Sequence, residues 1–96
     1  MRETTFRPVT RAEIELLLQF VREYYEFDHL SFDERIARTA LENFIDDPTF
    51  GRIWWISADT EAIGYLVLTL GYSIEYDGRD AFIDEVYIRS GQCSLV

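Results

Sequence analysis

The chain has 96 residues, 48% of them hydrophobic and 16% aromatic, and a net charge of −9. That is the length of one domain with a folding composition, so disorder is excluded as the main state and a thin stability margin is expected. The acidic balance argues against a nucleic-acid partner, which needs a basic face, and no apolar run reaches the roughly 18 residues of a membrane span.

The opening segment carries Arg2, Glu3 and Arg7 but no apolar h-region. No signal peptide is expected, and a cytoplasmic location is the default. The surplus of carboxylates would favour a cationic substrate such as an amine, although negative charge also serves simply to keep a protein soluble.

In chain order, the spacing predicts strand, helix, helix, strand, strand, strand. Thr5 to Val9 reads as a short first strand. Thr10-Arg11-Ala12-Glu13 has the form of a capping box, with Val9 and Ile14 at the staple positions around it. Ile14, Leu17, Leu18, Val21, Tyr24 and Tyr25 then recur at three and four, one apolar helix stripe that should end near Phe27. Phe27-Asp28-His29-Leu30 is a short loop.

Ser31-Phe32-Asp33-Glu34 reads as a second capping box. It opens a helix expected to bury Ile36, Ala37, Ala40, Leu41, Phe44 and Ile45. Asp46-Asp47-Pro48 stops it, because proline disfavours the α region for the residue before it. The period then changes. Arg52 to Ala58, with Ile53, Trp54, Trp55 and Ile56, is rich in aromatic and β-branched residues and reads as a strand. Ala62 to Tyr76 is a long strand, in which Gly64 and Gly71 suggest close packing or a bulge. Asp77-Gly78 signals a hairpin, and Ala81 to Ile88 is the last strand. Short turns imply an antiparallel meander whose apolar faces the two helices cover. The fold class is α+β, a single domain over residues 1–96.

One cysteine, Cys93, and one histidine, His29, exclude an internal disulfide and fall short of a zinc site. A Cys–His nucleophile pair is disfavoured by the position of Cys93 four residues from the end.

Several segments, taken in order, resemble the amino-terminal part of the GNAT superfamily of N-acetyltransferases: Phe6-Arg7-Pro8-Val9-Thr10 leading into a capped helix, a second helix, Ile63-Gly64-Tyr65, and Ala81-Phe82-Ile83-Asp84-Glu85-Val86-Tyr87-Ile88 as the family's fourth strand. The resemblance covers about residues 5 to 90, and among relatives the diamine and other small-amine acetyltransferases look similar. It implies a partial acyl-CoA N-acyltransferase fold and acetyl-CoA as co-substrate. It also implies a base on the fourth strand, Glu85 first and Asp84 second, that removes the ammonium proton of a small amine. Such a base is required because a protonated amine has no free lone pair. Strand alternation, however, would turn one of these two neighbours to solvent. By resemblance, the main chain of Val86, Tyr87 and Ile88 would hold the pantetheine arm, and Tyr24, Tyr25, Phe27 and His29 would line the acceptor pocket. Core packing is the simpler role for the side chains of Tyr24, Tyr25 and residues 86–88.

The family continues with a glycine-rich loop whose backbone N–H groups hold the pyrophosphate of CoA at a helix N-terminus. Here Arg89-Ser90-Gly91-Gln92-Cys93-Ser94-Leu95-Val96 carries one glycine and no helix. The chain is therefore expected to be a truncated domain, with little or no acetyl transfer alone. Its last strand would form an apolar edge and pair with a second copy as a homodimer. Two alternatives are a non-catalytic dimerising remnant and a small ligand-binding module using an aromatic groove of Trp54, Trp55, Tyr65, Tyr72 and Tyr76.

Overall fold

A computed structural model describes residues 3–73 and 78–89. Asp77, Tyr76, Gly91, Gln92 and Cys93 lie outside them, so the Asp77-Gly78 turn and the phosphate-loop remnant are not taken further.

Strand β1 (Thr4–Pro8) leads into a 3-10 turn at Arg11–Glu13 and then helix α1 (Ile14–Phe27). The expected capping box closes at Thr10. The Glu13 carboxylate accepts from the Thr10 backbone N–H and hydroxyl, each at 3.0 Å. The Glu13 N–H reaches the Thr10 carbonyl at 2.9 Å, and this i+3 bond makes the first turn 3-10. Val9 and Ile14 are both buried, as staple positions require. The stripe of α1 buries Ile14, Leu17, Leu18, Phe20 and Val21.

Helix α1 ends at a left-handed residue, His29, with φ 55°. The N–H of Leu30 returns to the Tyr25 carbonyl at 2.7 Å and that of His29 to Glu26 at 3.3 Å. This is the Schellman arrangement, which satisfies the last carbonyls of the helix.

Helix α2 (Glu34–Asp46) departs from expectation in two ways. Its N-cap is Asp33, whose carboxylate accepts from the Ile36 N–H at 3.1 Å, so the helix starts two residues later than a Ser31 cap would place it. An ionised carboxylate there also faces the positive end of the helix dipole. In addition, α2 buries only Leu41 completely, and Ile36 stays 67% exposed. The helix packs into the core through Leu41, Phe44 and Ile45, and Ile36 takes no part in that cluster. Asp47, extended at φ −126° and ψ 98°, ends it before Pro48.

Strands β2 (Gly51–Ala58), β3 (Glu61–Ser73) and β4 (Gly78–Ile88) complete a four-stranded antiparallel sheet in the order β1-β2-β3-β4. Arg7, Trp55, Tyr65 and Tyr87 stand opposite one another across it, as do Ile53, Val67 and Glu85. This face receives both helices, with Trp55 and Tyr65 fully buried and Phe20 edge-on to Trp55 at 5.2 Å. The sheet's two apolar faces were expected to be shared between the helices, but only one is covered by them. On the other face Trp54, Leu66 and Val86 form a row with Pro8 at its β1 end, Phe6 stands opposite Ile56, and Ile56, Ala58 and Ile63 make a small cluster against which Leu66 and Ile88 pack. Trp54 and Trp55 therefore point to opposite sides of the sheet, and no single aromatic groove gathers them with Tyr65.

Candidate functional site

The acidic pair sits on β4 at an irregularity. Val67 of β3 pairs with Glu85, but the next residue, Leu68, pairs with Ile83, which leaves Asp84 as the extra residue of a β-bulge. A bulge breaks the two-residue alternation and re-aims a side chain. Consequently Asp84 and Glu85 both line one cleft of about 200 Å³, instead of one facing each way. The cleft lies between α1, α2 and the sheet. Val21 and Tyr25 come from α1, Ala37, Ala40, Leu41 and Phe44 from α2, and Ile53 and Val67 from the sheet.

Glu85 is held from two directions. The hydroxyl of Tyr65 donates to Oε1 at 2.9 Å and that of Tyr25 to Oε2 at 3.3 Å. Burial pushes the Tyr65 phenol above its usual range and the nearby Glu85 carboxylate pushes it further, so it stays a protonated donor. Tyr25 is raised by the same causes in the same order. Both hydroxyls therefore remain donors across the physiological pH range, and the carboxylate keeps free lone pairs toward the cleft.

An aromatic cluster fixes these groups. Tyr24 packs against Tyr25 and against Tyr87, each at 5.7 Å between ring centres, and Tyr25 meets Phe32 edge-on at 5.9 Å. Beyond it, Arg89 donates to both oxygens of Glu23 at 2.9 Å and stacks over the Phe20 ring at 3.8 Å, tying the end of β4 to α1.

The residues expected to line an acceptor pocket are thus divided by the fold. Tyr25 lines the cleft and Tyr24 stands behind it. Phe27 is 73% exposed and His29 forms the exposed helix terminus, so neither joins the cleft. Val86, Tyr87 and Ile88 follow Glu85 on β4, opposite Leu66, Tyr65 and Gly64. Gly64 permits this approach, since a Cβ there would stand 2.1 Å from the Tyr87 carbonyl oxygen.

Sequence reasoning missed Tyr65 as a partner of the acidic pair. The signal available was its hydroxyl-bearing ring on the strand beside the acidic one, but pairing Tyr65 with Glu85 requires the register. The α2 residues of the cleft wall read only as core.

A larger hollow of about 330 Å³ lies on the outer side of α1, lined by Glu15, Glu23, Glu26 and Glu34 among others. It holds no comparable set of converging hydroxyl and carboxylate groups, so the smaller cleft is the candidate site. Among the described residues, no three His, Cys, Asp or Glu side chains are arranged to hold a metal ion. Among the described residues, no helix is long and apolar enough to cross a membrane.

No family model and no curated protein matches the chain. Solved structures do. An integron cassette protein from the mobile metagenome of Cole Harbour Salt Marsh is 32% identical, with a TM-score of 0.86 over 92% of this chain and 58% of that one. A possible acetyltransferase from Clostridium difficile 630 superimposes with a TM-score of 0.78 at 14% identity, over 91% of this chain and 58% of that one. A probable acetyltransferase does so with a TM-score of 0.75 at 20% identity, over 93% and 58%. The α+β fold, two helices on a four-stranded antiparallel sheet, is therefore that of acetyltransferase-like proteins. The chain spans 58% of the length of each of these structures.

Proposed function

We propose that the chain is part of a GNAT-type, acetyl-CoA-dependent N-acetyltransferase acting on a small amine, with Glu85 as the base. The observation that carries this is that Asp84 and Glu85 share one cleft, with two tyrosine hydroxyls donating to Glu85, on an acetyltransferase-like fold. Acetyl-CoA, when bound, supplies a thioester whose C–S bond breaks as the C–N bond to the amine forms.

Asp84 and Glu85 attract and orient the ammonium of the acceptor. Glu85 then takes one proton, which frees the nitrogen lone pair for attack; the second proton that the nitrogen loses on becoming an amide goes to the departing thiolate, and Glu85 returns the first to solvent. Tyr65 and Tyr25 hold the Glu85 carboxylate in a fixed orientation, which matters because general-base catalysis depends first on geometry. The main chain at Val86, Tyr87 and Ile88 continues from the base and is the stretch along which a pantetheine arm would lie. The acidic surface suits an amine acceptor.

The test is release of free thiol from acetyl-CoA with a panel of primary amines, comparing the native protein with Glu85→Gln. Amine-dependent thiol release that falls by about 10²-fold or more in the variant supports the proposal. Equal rates in both proteins would remove Glu85 from the mechanism. No amine-dependent release from the native protein would favour a non-catalytic role for the chain.

A further inference from the structure

We infer that the cleft is built for a hydrophobic monoamine, with one ammonium and a short aryl or branched alkyl body, and selects against diamines and polyamines. This rests on the acetyltransferase reading only in taking Asp84 and Glu85 as the acceptor side. The argument is one of complementarity within a single cavity. Its carboxylates are confined to the β4 wall, at Asp84 and Glu85. The facing α2 wall offers Ala37, Ala40, Leu41 and Phe44, and the floor is Ile53 and Val67. None of these six side chains can accept a hydrogen bond.

An ammonium has three N–H donors. The β4 end offers a matching set: the free lone pairs of Glu85, the Asp84 carboxylate and the oxygen of the Tyr25 hydroxyl, which already donates to Glu85. The rest of the ligand must lie against carbon. A second ammonium directed toward α2 would lose its water and meet methyl groups and the single Phe44 ring, whose face compensates only part of the desolvation. An uncharged alkyl or aryl group gains from the same surroundings.

Size restricts the class further. A cleft of about 200 Å³ favours a short, compact body over an extended chain. Alanine at positions 37 and 40 makes that space, since these residues stand on the α2 wall where a larger side chain would project into it.

The experiment is calorimetric titration of the protein, without acetyl-CoA, with benzylamine, 1,5-diaminopentane and benzyl alcohol. Benzylamine is expected to bind at least roughly tenfold tighter than either of the others. Ala40→Leu places a strong helix former at an exposed helix position, so the fold is kept while the cleft is filled; benzylamine binding should fall at least roughly tenfold with the unfolding midpoint unchanged. Diaminopentane binding as tightly as benzylamine overturns the inference. So does benzylamine binding that Ala40→Leu leaves intact, or the absence of benzylamine binding. Because no acyl donor is present, the two proposals fail separately. Benzylamine binding without thiol release would sink acetyl transfer alone, whereas turnover of a diamine with no benzylamine binding would sink this inference alone.

Discussion

Gly64→Ala tests the contact that holds β4, and with it Asp84 and Glu85, against the rest of the sheet. A Cβ at residue 64 would stand 2.1 Å from the Tyr87 carbonyl oxygen and 2.9 Å from the Ile88 Cα. Reaching even 3.0 Å, a distance real Cβ atoms essentially never undercut, requires the carbonyl to retreat by about 0.9 Å. The obstacle is backbone on both sides, so no side chain can swing away. One or two ladder hydrogen bonds between β3 and β4 would lengthen beyond useful range, at about 1 kcal/mol each. Overpacking adds about 1–3 kcal/mol. The expected loss is about 3 kcal/mol, a large part of the roughly 5–15 kcal/mol available to a domain. Urea unfolding followed by the fluorescence of Trp54 and Trp55 measures it directly, and the thermal midpoint should fall by about 12 °C or more. The displaced strand should also lose amine binding. A change below about 0.5 kcal/mol, within the range of an ordinary surface substitution, would refute the close approach of β3 and β4.

Four further outcomes are expected. His29→Gly relieves a non-glycine residue from the left-handed region and should stabilise the fold by about 1 kcal/mol in urea melts, with amine binding unaltered. Glu13 is held down to about 2 first by the Arg7 guanidinium and then by its bonds to Thr10; the Trp55 indole, which closes no hydrogen bond of ordinary geometry, assists it. The folded value lies below the unfolded one, so the resulting stability is complete above about pH 4.5 and is lost as pH falls toward 2. Arg7 is 53% exposed, which screens the pair to about 1 kcal/mol, and Glu13→Gln should flatten the unfolding midpoint against pH by that amount. Tyr65→Phe keeps the buried ring but removes the donor to Glu85, and should cost about 1–2 kcal/mol in thermal unfolding. The exposed Phe82, Ile83 and Val86 on the outermost strand are expected to bring two copies together; light scattering should show a dimer that Ile83→Lys weakens, and a monodisperse monomer at high concentration would refute this.

Much of the local structure was legible because its causes lie within a few residues of one another. The capping box at Thr10 and Glu13, the stripe from Ile14 to Val21 and the stop at Pro48 are contacts at i+1 to i+4, and each appears where its pattern lies. Local reasoning erred at α2, where a Ser31 cap lost to Asp33. Both residues are competent caps, and only the assembled turn decides which carboxylate or hydroxyl meets the Ile36 N–H. It erred again at Ile36, whose place in a periodic stripe does not reveal whether anything lies opposite.

For the site, the sequence alone determined the candidates: two adjacent carboxylates on a strand, tyrosines at the end of the first helix, and a small residue before Tyr65. It could not determine that Asp84 and Glu85 share a cleft, because strict alternation sends neighbours to opposite faces. Only the register between β3 and β4, with Asp84 as the extra residue, brings them together. Nor could it select Tyr25 and Tyr65 as the partners of Glu85, which lie 60 and 20 residues away along the chain. Those contacts form when the sheet and helix close on one another, and their geometry depends on strand pairing and packing that no short window of sequence encodes.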